Sequence, residues 1–95
     1  MLVIRNCFIA KPGQAGKLAA LLKETTRVLI PGNSRVLTDL TGEFNRVVLE
    51  FEIENLTEFE ALQRRYGTDP AIRERMAGYT DLWISGNREI FQVVK

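Results

Sequence analysis

Apolar and polar positions alternate most cleanly between Arg46 and Glu54. Val47, Leu49, Phe51 and Ile53 share one parity there, and Val48, Glu50, Glu52 and Glu54 share the other. A period of two sustained over that length predicts a β-strand with one face buried. The arm before it, Arg35 to Leu40, is rich in β-forming residues, and Thr41, Gly42, Glu43 and Asn45 supply turn chemistry between the arms. Arg35 to Glu54 therefore reads as a β-hairpin. Upstream, Leu2 to Ala10 is mostly apolar in both parities, which predicts a central strand covered on both sides. Lys11, Pro12 and Gly13 break it, and from Gln14 to about Leu29 the positions Leu18, Leu21, Leu22, Thr25 and Val28 or Leu29 recur at helical spacing. Pro31, Gly32 and Asn33 then stop that helix and turn the chain into the hairpin.

After the hairpin the spacing predicts a second helix, with Thr57 and Glu60 as a capping box and Leu56 placed to staple against Ala61. Its apolar stripe is Phe59, Leu62 and Tyr66, and Gly67 ends it. Asp69 with Pro70 behind it opens a shorter helix running to about Ala77, closed by Gly78. Tyr79 to Lys95 is again β-rich, and its centre, Ser85-Gly86-Asn87-Arg88, fits either a two-residue hairpin turn or a bulge in one long strand. The order β, α, β, β, α, β is that of the ferredoxin-like α+β fold, an antiparallel sheet with both helices on one face. The sheet's other face is left open, and its mixed apolar and charged residues are expected to pack against a second copy.

Composition narrows the function. Ninety-five residues make one domain, 1–95, small enough that a homodimer through the sheet faces would help to bury its surface. The 45% hydrophobic and 26% charged fractions are those of a soluble globular protein. With 13 basic and 12 acidic residues, a net charge of +1 and no basic run beyond Arg64 and Arg65, nucleic acid and membrane surfaces are not expected partners. One cysteine, Cys7 in an apolar run, forbids an intrachain disulfide and reads as a buried, inert thiol. The absence of histidine removes the commonest general base and metal ligand. The start, MLVIRNCFIA, is interrupted by Arg5 and Asn6 and does not read as a signal peptide, so a cytoplasmic protein is expected.

Parity supplies the sharpest chemical lead. If Val47, Leu49, Phe51 and Ile53 face the helices, Glu50 and Glu52 face the open side, where Arg5 is placed to pair with one of them. Glu50, Glu52 and Glu54 then alternate at roughly 7 Å along one strand face. Ion pairing with Arg5, Arg35, Arg46 or Arg88 explains them better than paired catalytic carboxylates do. The same parity puts Asn6 among apolar residues on the helix face, where its amide must find hydrogen-bond partners. Pro12 to Lys17 lacks the spacing of a phosphate loop, and Arg73, Glu74 and Arg75 read as a solvated helix face.

Three stretches, FIAKPGQAGKLAALLKE at 8–24, GEFNRVVLEFEIENLTEFEAL at 42–62 and YTDLWISGNREIFQVV at 79–94, resemble the dimeric α/β-barrel superfamily, and within it the NIPSNAP-like and uncharacterised members. The resemblance covers essentially the whole chain and implies two ferredoxin-like units packed sheet to sheet. The superfamily includes cofactor-independent antibiotic-biosynthesis monooxygenases, which hold an asparagine between sheet and helices beside a tryptophan or tyrosine. Carried over to this chain, Asn6 would meet the oxygen of a planar aromatic substrate, with Trp83, Tyr66 or Tyr79 orienting its ring. Against this, Asn6 would simply tie down a loop or helix end, Trp83 would pack at the core edge or dimer seam, and Tyr66 would fill the core. The haem-degrading branch uses a histidine, so haem oxidation is not expected and no cofactor is implied. The expectation is a binder of an apolar small molecule, in its enzymatic form a cofactor-independent oxygenase. The competing expectation is a structural or interaction module with no ligand-sized pocket.

Overall fold

A computed structural model describes residues 1–30, 32 and 34–95. The chain runs through strand β1 (Leu2–Ala10), helix α1 (Ala15–Leu29), strands β2 (Ser34–Thr38) and β3 (Arg46–Ile53), and helices α2 (Leu56–Thr68) and α3 (Pro70–Arg75). A 3-10 turn, Tyr79–Leu82, then leads into strand β4 (Trp83–Gln92). The sheet is antiparallel in the order β2-β3-β1-β4. This is the expected ferredoxin-like α+β arrangement, with β1 central as its two-sided apolar pattern requires. The helix stop expected at Pro31 and Asn33 lies outside the described residues.

Local chemistry moves several boundaries. The cap of α2 is Asn55 rather than Thr57: its side-chain oxygen accepts from the Glu58 backbone N–H at 2.9 Å, and Glu58 reaches back to the Glu54 N–H at 3.0 Å. Asn55 thus caps the helix two residues earlier, with Glu58 closing on the N–H just before the cap, which draws Leu56 into the helix and leaves it exposed instead of stapled. Gly67 does not end α2, which continues to Thr68. Asp69 then closes α2 and opens α3, accepting from the Ala71 and Ile72 N–H groups with Pro70 at the first helical position. The residues from Tyr79 to Leu82 form the 3-10 turn rather than strand, entered through Gly78 at φ +80°.

β4 is one strand with no hairpin turn at Ser85–Arg88. Its irregularity falls earlier. Ile9 pairs with Ser85 but Ala10 pairs with Trp83, so Ile84 is the extra residue of a bulge. Trp83 and Arg88 are five residues apart and would lie on opposite faces of a regular strand. The bulge puts both on the helix face, Trp83 beside Ala10 and Arg88 beside Asn6.

The helix face of the sheet buries Ile4, Ala10, Val47, Leu49, Phe51 and Ile53 against Leu18, Leu22 and Leu29 of α1. Ile72, Met76 and Leu82 join the same core. α1 packs over β2 and β3. Its buried hydroxyls are satisfied locally, Thr25 donating to Leu21 O and Thr26 to Leu22 O, both at 2.9 Å. α2 differs: none of its residues is fully buried, and Phe59, Leu62 and Tyr66 are only half-buried. An open space is left beneath it, between helix and sheet.

On the open face, Glu50 is only 9% exposed although no helix covers it. Arg5 donates to one carboxylate oxygen from Nε at 3.1 Å and Nη2 at 2.7 Å, and Arg35 donates to the other, from Nε at 2.8 Å and also from Nη2. These hydrogen bonds, Arg5's first, hold the Glu50 carboxyl below its ordinary range, and Glu50 in turn raises the Arg5 guanidinium. Arg5 also lies 5.3 Å over the Phe91 ring, so the arrangement spans all four strands. Among the described residues Glu52 and Glu54 form no ion pair, and the pairing expected of Arg46 and Arg88 is not made. Arg88 is on the other face. Cys7 is half-buried rather than buried, its Sγ 3.7 Å from a Glu89 carboxylate oxygen, and burial with that neighbour raises its thiol pKa.

Candidate functional site

Between the sheet and α2 lies a cavity of about 350 Å³. It exists because α1 is seated over β2 and β3, whereas α2 stands off β1 and β4 on half-buried side chains. Leu49 and Phe51 of β3, Leu22 and Leu29 of α1, and Phe59 and Leu62 of α2 supply apolar wall. Gly86 lets the wall close at β4. A Cβ there would stand 3.2 Å from the Cys7 carbonyl oxygen and 3.3 Å from Phe8 Cδ1, so glycine is what allows the Phe8 ring to lie across that strand.

Asn6, Trp83 and Tyr66, the three residues singled out from the sequence, all line this cavity, as does Tyr79. Trp83 meets Phe8 edge to face at 5.4 Å between ring centroids and lies 6.1 Å from Tyr79 at a tilt. Its indole Nε1–H is buried and has no hydrogen-bond partner among the described residues. The Tyr66 hydroxyl is raised well above the ordinary tyrosine pKa, first by burial and then by the Tyr79 hydroxyl beside it. It stays protonated at neutral pH and offers no base.

The polar end of the cavity contains two residues that the sequence reading did not place there. Arg88 Nε donates to Asn6 Oδ1 at 2.7 Å. With its amide oxygen turned toward Arg88, Gln63 of α2 accepts from Nη1 at 2.9 Å and Nη2 at 3.0 Å. The Arg88 carbon Cζ sits 5.1 Å over the Phe59 ring. Asn6 is thus neither a loop tie nor a helix-end tie. Its oxygen is taken by Arg88, while its amide nitrogen finds no acceptor among the described residues. Parity along β4 would have revealed Arg88, but only if the bulge at Ile84 had been legible.

The arrangement can hold a flat apolar body along the aromatic wall and hydrogen-bond a polar group at the Asn6–Arg88 end. Among the described residues no carboxylate lines the cavity, and no group of three His, Cys, Asp or Glu side chains lies close enough together to hold a metal. Proton abstraction from a bound molecule would therefore have to draw on that molecule's own acidity.

The ferredoxin-like α+β fold is shared with solved structures of low sequence similarity. A NIPSNAP family protein of unknown function from Agrobacterium tumefaciens superposes with a TM-score of 0.84 at 15% identity, over 96% of this chain and 86% of that one. An uncharacterised NIPSNAP domain protein from Burkholderia xenovorans gives 0.82 at 15% identity, over 99% and 95%. A candidate antibiotic biosynthesis monooxygenase from Chloroflexus aurantiacus gives 0.76 at 18% identity, over 99% and 93%. These neighbours fall in the grouping that the sequence layout resembles. At such identities the likeness establishes the fold and leaves activity open. No protein-family model and no curated protein matches the chain.

Proposed function

We propose that this protein binds a small planar, mostly apolar molecule in the cavity between sheet and α2, with the ligand's polar end against Asn6 and Arg88. The observation that carries the reading is the division of the cavity wall into a long apolar and aromatic part and one polar end. Its volume lies within the roughly 300–1,000 Å³ usual for small-molecule sites. An assembly module would need no such space, and this weighs against the competing expectation. The test is thermal melting against a panel of planar phenols, quinones and polycyclic aromatics, with Asn6→Ala in parallel. A stabilising shift that the variant loses supports the reading, and no shift from any compound sinks it.

The oxygenase reading is favoured by one further observation, the cation held against Asn6. A guanidinium there stabilises an oxyanion on a phenolic or quinol-like substrate, so that the substrate's own acidity supplies the electron-rich ring carbon. That carbon would pass electrons to molecular oxygen, a ring methylene becoming a carbonyl while O2 supplies its oxygen atom and leaves as one water. Asn6 would hydrogen-bond the substrate oxygen, and Trp83 or Tyr66 would orient the ring. Oxygen uptake with such substrates checks it, and turnover unchanged in Asn6→Ala removes Asn6 from the mechanism.

We propose also that the open sheet face packs on a second copy. The nearly hidden Glu50 and the part-exposed Leu37 and Phe91 on that face support a homodimer. Sedimentation that finds only monomer up to high concentration would overturn it.

A further inference from the structure

Resting on the cavity reading above, we infer that the ligand is an organic anion, a planar aromatic carboxylate whose charged end pairs with Arg88. Arg88 is the one charged side chain on the cavity wall among the described residues, and no acid lies within ion-pair distance of it. Of its five N–H donors, Nε is used on Asn6 and one on each terminal nitrogen on Gln63. Both acceptors are neutral amide oxygens. They fix the plane of the fork without cancelling its charge, and two N–H groups are left over.

A guanidinium anchored in this way is pre-organised for a carboxylate, because little side-chain freedom remains to be lost on binding. Arg5 and Arg35 show the alternative within the same molecule, since both are matched by Glu50. Phe59 behind Arg88 removes water from one side of the guanidinium and strengthens its interaction with an anion on the other. A neutral ring of the same shape would fill the apolar part of the cavity equally well. It would leave the cation unmatched. The carboxylate is thus what distinguishes the ligand, and Asn6 and Gln63 act as positioning residues for Arg88.

Calorimetric titration with 2-naphthoate and with its neutral isostere 2-naphthamide, near neutral pH and low salt, tests this directly. The chain has one tryptophan, so the single indole N–H resonance of Trp83 reports whether either probe enters the cavity. The expected result is tenfold or tighter binding of the carboxylate with a shift of that resonance, a preference reduced by salt and lost in Arg88→Gln. Asn6→Ala, which removes one of the acceptors that fix the Arg88 fork, should shrink the carboxylate's preference over the amide. Equal binding of the two probes, or a carboxylate preference that survives Arg88→Gln, overturns the inference and leaves the cavity reading standing. Failure of both probes to bind or to move the Trp83 resonance counts against the cavity reading and the inference together.

Discussion

The two faces of this sheet handle arginine in opposite ways. On the open face Arg5 and Arg35 converge on Glu50 until a carboxylate with no helix above it is nine-tenths hidden. On the helix face Arg88 is held by two neutral amides, Asn6 and Gln63, and meets no opposite charge among the described residues. The first arrangement is complete in itself and accounts for structure. The second is complete in geometry but not in charge, and on the proposed reading that gap is filled by the ligand. The contrast separates stability from function within one sheet, and each half can be broken alone.

The largest effect is expected from Glu50→Ala. Truncating one partner of a fully buried pair typically costs about 3–5 kcal/mol, but Arg5 and Arg35 are 39% and 67% exposed and recover much of their hydration. A loss of about 2 kcal/mol is therefore expected in urea denaturation, from two cations left facing each other. Binding at the cavity should be unaffected. Acid titration of the wild type reads the same contact more gently. Because the folded-state pKa of Glu50 lies below its unfolded value, its contribution is present above about pH 4.3 and is lost as pH falls through the lower folded value. Glu50→Gln should flatten that part of the stability profile, and an unchanged profile would mean that the carboxylate contributes nothing there.

Arg88→Gln should show the reverse pattern. It removes a mouth residue with no charged partner, so stability is expected to stay within about 0.5 kcal/mol while carboxylate preference disappears. A large stability loss would make Arg88 a structural element like Arg5 and erase the contrast between the faces.

The same comparison explains what could be read from the sequence. The open-face clamp was nearly legible. β3 alternates without interruption, so the side on which Glu50 lies, and the placement of Arg5 beside it, follow from counting in twos. Asn6 was legible for the same reason, as a polar residue on an apolar parity. Its partner was not. One inserted residue, Ile84, reverses parity between Trp83 and Arg88, and nothing in Trp83-Ile84-Ser85-Gly86 distinguishes a bulge there from a turn further on. Arg88 could thus be assigned to the glutamates of the wrong face. The α2 cap was misplaced because Asn55-x-x-Glu58 and Thr57-x-x-Glu60 satisfy the same rule, and only the hydrogen bonds separate them. The cavity had no sequence signal, since it depends on how far α2 stands from the sheet.

Trp83→Phe, in which opposing contributions are expected nearly to cancel, is the sharpest probe of the helix face. Truncating a large, well-packed aromatic ordinarily costs several kcal/mol through lost contacts and a void. Here the indole carries a buried N–H without a partner, and such a group costs about 1–3 kcal/mol where it sits. Replacing it with phenylalanine removes that penalty, keeps the edge-to-face contact with Phe8, and adds its void to an existing cavity instead of opening a new one. The opposing contributions are of similar size, so the change in unfolding free energy should stay within about 1 kcal/mol of zero. A loss of 3 kcal/mol or more would show that Trp83 is a core residue whose N–H is met in solution. A near-zero change, with ligand binding altered, would show that the indole is retained on this face for what enters the cavity, as the unmatched charge of Arg88 also implies.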